Sequence, residues 1–286
     1  MTKKKKENVC IEVCHVTKRF GEDMVLKEVN LDLAAGSVYG IVGNNGSGKT
    51  VLMKCICGFL TVTTGTIRVF GKQIGKDIDF PESLGVIIET PGFLTNLTGR
   101  RNLEILADMK REITKADIRV VLKKVGLDPD MKKPVAKYSL GMRQRLGIAQ
   151  AIMEDPQLLI LDEPFNGLDK NGVQEIRKIL LELKAEGKTI LLASHNEEDI
   201  RILCDEVYEM DGGVLQKMEW QKNGAKTTEK NGICFIDIKS YSNRYRAVSG
   251  LCGKYRQGRR NRRGRISNRK GRLADRGRRI NGRKFC

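Results

Sequence analysis

Apolar and polar residues alternate from Val9 to Val16, and the alternation returns from Met24 to Leu33 before stopping at Ala35-Gly36. Period two is the spacing of a strand with one buried face, so the pattern predicts two strands near the start of the chain. Val38, Tyr39, Ile41 and Val42 then form a short apolar run, and Val51, Leu52, Cys55 and Ile56 recur at helical spacing. Thr61–Phe70 and Leu84–Glu89 read as further strands. From Thr98 to Met153 the period becomes helical in three segments, about Arg100–Arg111, Lys115–Val125 and Ser139–Met153. Strand character resumes at Leu158–Asp162, followed by a helix over Asn171–Glu186, a strand at Thr189–Ala193 and a short helix at Glu197–Cys204. Glu206–Met210 and Val214–Met218 flank Asp211-Gly212-Gly213, which is a hairpin signal. Strands alternating with helices predict a doubly wound α/β core, and such cores gather ligands at the carboxyl ends of their parallel strands.

Between the apolar run and the first helix lies GNNGSGKT, comprising Gly43, Asn44, Asn45, Gly46, Ser47, Gly48, Lys49 and Thr50. The spacing G-x-x-x-x-G-K-[ST], entered from a strand and left through a helix, is that of a phosphate-binding loop. Glycines let the backbone N–H groups turn toward an anion, the helix adds its positive end, Lys49 meets the β/γ-phosphates and Thr50 ligates Mg²⁺. Downstream, LLILDEP (Leu158–Pro164) is an apolar strand ending in two acids. Asp162 is placed to share the Mg²⁺ held by Thr50, and Glu163 to polarise a water in line with the γ-phosphate. The bland alternative is a core strand followed by a solvated acidic turn.

Composition adds limits. The 286 residues, 40% hydrophobic, suffice for one large or two modest domains. The eight cysteines lack paired metal spacing, as Cys55 and Cys57 lie two apart and Cys10 and Cys14 four apart, which predicts reduced thiols in a cytoplasmic protein. No apolar run reaches membrane-span length, and the Lys3–Lys6 run leads into no apolar leader segment.

The net charge of +18 is unevenly placed. Residues 241–286 hold 17 Lys and Arg against the single acid Asp275, a local charge of +16, which leaves +2 for residues 1–240. Three readings of this Arg/Gly-rich end stand side by side: a nucleic-acid or acidic-membrane arm, an inert solvated tail, or a stretch read out of frame from Glu/Lys codons.

The order of phosphate loop, helical insert, a Ser-x-Gly turn opening a helix, LDEP, NGLD and a His after a strand resembles the ATP-binding-cassette ATPases over about residues 8–220. IETPGF (Ile88–Phe93) and YSLGMRQRLGIAQAI (Tyr138–Ile152) resemble the bacitracin-resistance and lantibiotic-immunity (ABC-2 type) branch. The resemblance implies a P-loop NTPase fold with a RecA-like core, an antiparallel β subdomain and a helical subdomain over 98–153, followed by a short connection at 221–240 and the basic tail at 241–286.

For individual residues, the resemblance implies that Phe20 stacks on adenine, although a Phe at a strand end is as readily a core residue. Ser139 and Gly141 match the signature loop that binds the γ-phosphate of ATP held by a second copy, and Ser139 would serve equally as a helix N-cap. This loop departs from the usual LSGGQ, with Leu140 for the first Gly and Met142 for the Gln. Asp169 matches the loop crossing between two copies, or is simply an N-cap. His195 matches the switch histidine that donates to the γ-phosphate, while His15 is read as structural. Glu89 stands where most members carry Gln, a residue that reaches Mg²⁺ and the attacking water; Glu still ligates Mg²⁺ but adds negative charge when the metal is absent.

Also implied are ATP and Mg²⁺, a homodimer of nucleotide-binding subunits on ATP binding, and a separate membrane permease docked at Pro91–Leu97. The subunit would sit at the cytoplasmic face of the cell membrane, powering export of an antimicrobial peptide or related hydrophobic compound. The competing function is a soluble nucleic-acid-associated ATPase that uses the basic tail. A single cassette and the lack of a heptad run weigh against it.

Overall fold

The computed structural model describes residues 8–89 and 92–219. The basic tail, the 221–240 connection and Thr90-Pro91 lie outside them, as do the expectations that fall there.

The described residues form ten strands and six α-helices in the expected order, apart from the short β5, which was not foreseen: β1 (Val9–Phe20), β2 (Asp23–Ala34), β3 (Val38–Val42), α1 (Lys49–Ile56), β4 (Thr64–Val69), β5 (Lys72–Gln73), β6 (Leu84–Ile87), α2 (Gly99–Lys110), α3 (Lys115–Lys124), α4 (Leu140–Ile152), β7 (Leu158–Asp162), α5 (Lys170–Ala185), β8 (Thr189–Ala193), α6 (Glu197–Leu203), β9 (Glu206–Asp211) and β10 (Val214–Lys217). Two sheets result. One is four-stranded and antiparallel in the order β2-β1-β4-β5; the other has six strands in the order β10-β9-β3-β8-β7-β6. From β9 to β6 all neighbours of the second sheet run parallel, and β10 closes its edge antiparallel to β9.

The central strands are apolar throughout because both faces are covered. Leu159 and Leu161 of β7 join Ile190 and Leu192 of β8 in a core shared with α4, α5 and α6. Leu158 and Ile160, with Leu191 and Ala193, face a second core made with α1 and the antiparallel sheet. Two-sided burial of this kind is characteristic of parallel strands with helices or sheets on each face. It also fixes the register, since a slip of one residue would exchange the two cores.

β1 runs four residues past its predicted end. The alternation breaks because register shifts interrupt its pairing with β2, and His15, at φ 46°, is the left-handed residue of one such irregularity. A bulge moves the apolar phase by one residue, so the strand continues in a different phase. The His15 amide donates to Asn30 Oδ1 at 2.9 Å and its side chain is exposed, in keeping with a structural role.

Burial pushes the Cys10 and Cys55 thiols up to about 11 and the Cys57 thiol up to about 12. Thiolate, the reactive form, is therefore scarce at these three positions at neutral pH. Among the described residues no helix is long and apolar enough to cross a membrane.

The helical insert meets the core where α4 lies against β6. A Cβ added to Gly85 would sit 2.0 Å from the Ala151 carbonyl oxygen and 2.9 Å from Pro156 Cγ, so glycine permits the contact. Gly85→Ala is expected to push α4 off the sheet and destabilise the protein by about 1–3 kcal/mol, read as a lower urea midpoint at unchanged slope.

Candidate nucleotide site

Five of the six helices begin with a side-chain cap: Thr98 for α2, Thr114 for α3, Ser139 for α4, Asp169 for α5 and Asn196 for α6. Helix α1 is the exception. Its N-cap is Gly48, at φ 113°, which offers no side-chain acceptor. The first N–H groups of a helix need partners from outside, and a start without a cap beside a curled loop is a ready receptor for an anion. Gly43 completes the curl, since a Cβ there would lie 2.2 Å from the Met210 carbonyl oxygen, whereas nothing approaches within 4 Å of one at Gly46.

Around this start lies a cleft of about 420 Å³ lined by Val25, Asn45, Gly46, Gly48, Lys49, Thr50, Val51, Asp162 and Glu163. The Lys49 ammonium is largely buried and donates to the Gly43 and Asn44 carbonyl oxygens at 2.8 and 3.0 Å. Burial holds its pKa below the ordinary value, while Asp162 and Glu163 pull in the opposite direction. The loop thus stores a desolvated cation at the position where β- and γ-phosphates would add compensating charge. Ser47 Oγ is buried without a hydrogen-bond partner, a further polar atom suited to a ligand.

Thr50 Oγ1 donates to Asp162 Oδ2 at 2.5 Å, bringing the end of β7 onto the first turn of α1. A hydroxyl and one carboxylate form a hard, incomplete oxygen set, and among the described residues no group of three or more His, Cys, Asp or Glu could cage a metal. That set fits Mg²⁺, which binds through one or two protein oxygens and takes the rest from waters and phosphates.

Glu163 adopts the left-handed conformation at φ 51°, which is uncommon for a non-glycine residue. Its amide donates to the Ala193 carbonyl at 2.9 Å. The buried Gln144 of α4 donates to the Pro164 carbonyl at 2.8 Å and, more weakly, to that of Glu163 at 3.4 Å. These contacts carry the backbone past the end of β7 and turn the Glu163 side chain toward His195, whose Nδ1 lies 2.7 Å from Oε2. The His195 side chain is 67% exposed, and it follows the last residue of the β8 strand region with Ser194 between.

Other expected site residues lie apart from the cleft lining. Glu89, left-handed at φ 60°, gives its carboxylate to Lys54 of α1 at 2.7 Å and is 65% exposed; the structure brings it to neither Thr50 nor Asp162. Phe20 is 46% exposed with the Lys18 ammonium 4.8 Å above its ring, so it is not a core residue. Ser139 caps α4 by accepting from the Met142 amide at 3.2 Å, and Asp169 caps α5 by accepting from the Gly172 amide at 2.9 Å. Both therefore have the capping roles foreseen as alternatives. A Cβ on Gly141 would lie 2.8 Å from the Gly167 carbonyl oxygen, so glycine lets the start of α4 approach the loop that leads to Asp169. Leu140, beside Ser139, is exposed.

Gln144 and Lys54 were not foreseen. Gln144 lay in view as a polar residue on the buried stripe of α4, whereas Lys54 gave no signal beyond being a surface lysine one turn past Thr50.

Residues 26–166 match the family model described as ABC transporter. An uncharacterized ABC transporter ATP-binding protein, YybJ of Bacillus subtilis, is 43% identical over 209 residues, which cover 73% of this chain and 96% of that one. The chain belongs to the ABC transporter ATP-binding family. The bacitracin transport ATP-binding protein BcrA of Enterococcus faecalis is 44% identical, over 77% of this chain and 73% of its own length. A lantibiotic transport ATP-binding protein, SrtF of Streptococcus pyogenes, is 36% identical, over 77% and 94% respectively. These relatives place the cassette in the bacitracin and lantibiotic branch. Among solved structures, an ATP-binding subunit of an ABC transporter superposes with TM-score 0.67 at 27% identity, covering 73% of this chain and 89% of that chain. A dimeric cassette, MJ0796, bound to ADP and Pi superposes with TM-score 0.65 at 22% identity, covering 72% and 98%, and supports the fold. As a member of this family the cassette hydrolyses ATP with Mg²⁺ to power transport.

Because the folded state depresses the Lys49 pKa, it holds that proton less tightly than the unfolded chain does. The ammonium therefore lowers stability at neutral pH, and the cost is relieved as pH rises through the depressed value toward the ordinary lysine range. Lys49→Met is expected to leave the nucleotide-free protein as stable as wild type or stabler by up to about 1 kcal/mol, while abolishing ATP-dependent stabilisation in the same denaturation assay.

Proposed function

We propose that the chain powers a separate membrane permease that exports an antimicrobial peptide or a related hydrophobic compound, using composite ATP sites formed by two copies of the cassette. The observation that carries the ATP half of this reading is the uncapped start of α1, with the Thr50 hydroxyl already on Asp162. The cargo half rests on likeness to BcrA and SrtF, named for bacitracin and lantibiotic transport.

The geometry supports the following residue roles, several of which the family resemblance implies. The N–H groups of the 43–50 loop receive the phosphates, and Lys49 exchanges the Gly43 and Asn44 carbonyls for β- and γ-phosphate oxygens. Thr50 and Asp162 would hold Mg²⁺, which when bound would offset phosphate charge and polarise the γ-phosphoryl group. Glu163 accepts a proton from the attacking water, whose oxygen bonds to the γ-phosphorus as the bond to the β-bridging oxygen breaks and ADP leaves. With Nδ1 against Glu163 Oε2, His195 has its other ring nitrogen, Nε2, left to meet a γ-phosphate oxygen. Phe20 offers its exposed ring to adenine.

Ser139 and Gly141 open α4 beside an exposed leucine and away from the cleft of their own chain, an arrangement suited to a second copy's γ-phosphate. Asp169 lies in the adjoining loop that would cross that interface. Glu89, held by Lys54, comes just before the 91–97 segment that would reach the permease, and its exchange from Lys54 to the metal would link the two sites. ATP-binding subunits of this family act with permease chains, which supports a position at the cytoplasmic face of the membrane for this one.

Glu163→Gln removes the proton acceptor while keeping size and shape. It is expected to lower kcat by about 10²–10³-fold with ATP affinity retained, and to accumulate an ATP-bound dimer visible by size-exclusion chromatography. Undiminished phosphate release would sink the assignment of Glu163; a variant that stays monomeric with ATP would sink the composite site. Co-expression with its permease in a sensitive host should raise tolerance to bacitracin or a lantibiotic, and no change with either compound counts against the cargo class.

A further inference from the structure

His195 touches Glu163 through one exposed ring, and nothing about that single contact explains why the ring stays there. Its chain neighbours do. Ser194 is 2% exposed, and its hydroxyl accepts from the Asn196 amide at 3.2 Å while donating to Asp199 Oδ2 at 3.3 Å. Asn196 caps α6 by accepting from the Glu198 amide at 2.9 Å. Asp199, 1% exposed, receives Arg177 of α5 at Oδ1, from Nε at 2.8 Å and Nη2 at 2.6 Å; Arg177 Nη2 also reaches Glu198 at 3.3 Å.

A buried ion pair is a weak source of net stability, because removing both charges from water offsets most of their attraction. What it supplies is a fixed geometry. Arg177 lies on the apolar stripe of α5 among Ile176, Ile179, Leu180 and Leu183, where an aliphatic residue would pack without any desolvation cost. The pair connects α5, which begins at Asp169, to the turn that bears His195, and Ser194 passes its constraint into the backbone on both sides of the imidazole.

We propose that Arg177, Asp199 and Ser194 are positioning residues for the hydrolytic reaction, which hold the His195 turn in register with Glu163 and tie it to the helix capped by Asp169. They touch neither substrate nor metal in this scheme. The inference rests on the reading of His195 and Glu163 given above.

The test uses the full chain and four variants: Asp199→Asn, Ser194→Ala, the apolar double replacement Arg177→Met with Asp199→Leu, and His195→Ala as reference. Three quantities are measured: kcat and KM for MgATP, binding of a fluorescent ATP analogue, and the imidazole ring resonances by NMR. The chain has two histidines, so His15 serves as internal standard for His195. Expected are a kcat at least tenfold lower in Asp199→Asn and in the double variant, about three- to tenfold lower in Ser194→Ala, and analogue affinity within twofold of wild type. His195 resonances should shift or broaden while those of His15 stay in place. Added to His195→Ala, the Asp199→Asn change should cost less than a further twofold, because residues acting through one group are non-additive.

The inference is overturned if His195→Ala lowers kcat but the network variants keep the wild-type value. It is equally overturned if their losses multiply in full with that of His195→Ala, or if the His195 resonances do not move. Should the double variant fail to fold, Ser194→Ala, which removes one oxygen, decides by the same criteria. A His195→Ala protein with wild-type kcat would instead overturn the underlying role of His195, a result distinct from failure of the network.

Discussion

Strand β7 has no solvent face. Its four leading residues are buried between two cores, so the chain can expose polar atoms only where the strand ends, and Asp162 and Glu163 come at that end. The same constraint acts on its neighbours. β3 must release its chain at Gly43 and β8 must release it at Ser194, and parallel pairing brings the three exits to one edge of the sheet. Chemistry collects there because every other place along these strands is dry. The Thr50–Asp162 hydrogen bond, spanning 112 positions of sequence, is a direct outcome of that alignment.

Once the exits are aligned, the local backbone determines which groups can act. Glycines at 43, 46 and 48 reach conformations that side chains disfavour, and they leave the first turn of α1 open. Glu163 is held left-handed without being glycine, at a cost on the order of 1–3 kcal/mol, with the Ala193 carbonyl and Gln144 fixing the adjoining peptides. Gln144 belongs to the helix opened by Ser139. Rigid-body movement of α4 would thus be felt at the backbone of Glu163, which gives the helical insert a physical route to the acid without any long-range wire.

The order of elements and the phosphate loop were legible because they depend on short-range pattern: β7 and β8 have their predicted bounds, and GNNGSGKT lies between the predicted strand and helix. Where the reading was displaced, a non-periodic event intervened. β1 runs on beyond Val16 because a left-handed His15 shifts the alternation, and β6 stops at Ile87 because Glu89 is left-handed. Phe20 could be core or ring platform on sequence grounds, and its exposure rules out the core. The partner of Glu89 was beyond reach, since pairing with Lys54 depends on how α1 packs against the end of β6. Arg177 was not singled out, although an arginine inside the stripe of Ile176, Ile179, Leu180 and Leu183 is a signal for a paired charge; its partner Asp199 lies 22 positions away and became visible only in the fold.

Glu89 illustrates how one substitution can change a site without altering its architecture. A neutral amide at this position would have little attraction to Lys54, whereas the carboxylate has a cation 2.7 Å away and a left-handed backbone that aims it there. Exposure to water keeps such a pair weak, on the order of 0–1 kcal/mol, so the two partners separate and rejoin readily. A divalent cation beside Thr50 and Asp162 would compete for the same carboxylate with twice the charge. Under the proposed exchange, Lys54 and the metal would be alternative partners for one side chain just before the segment leading to residues 92–97, and a weak ion pair is what such an exchange requires.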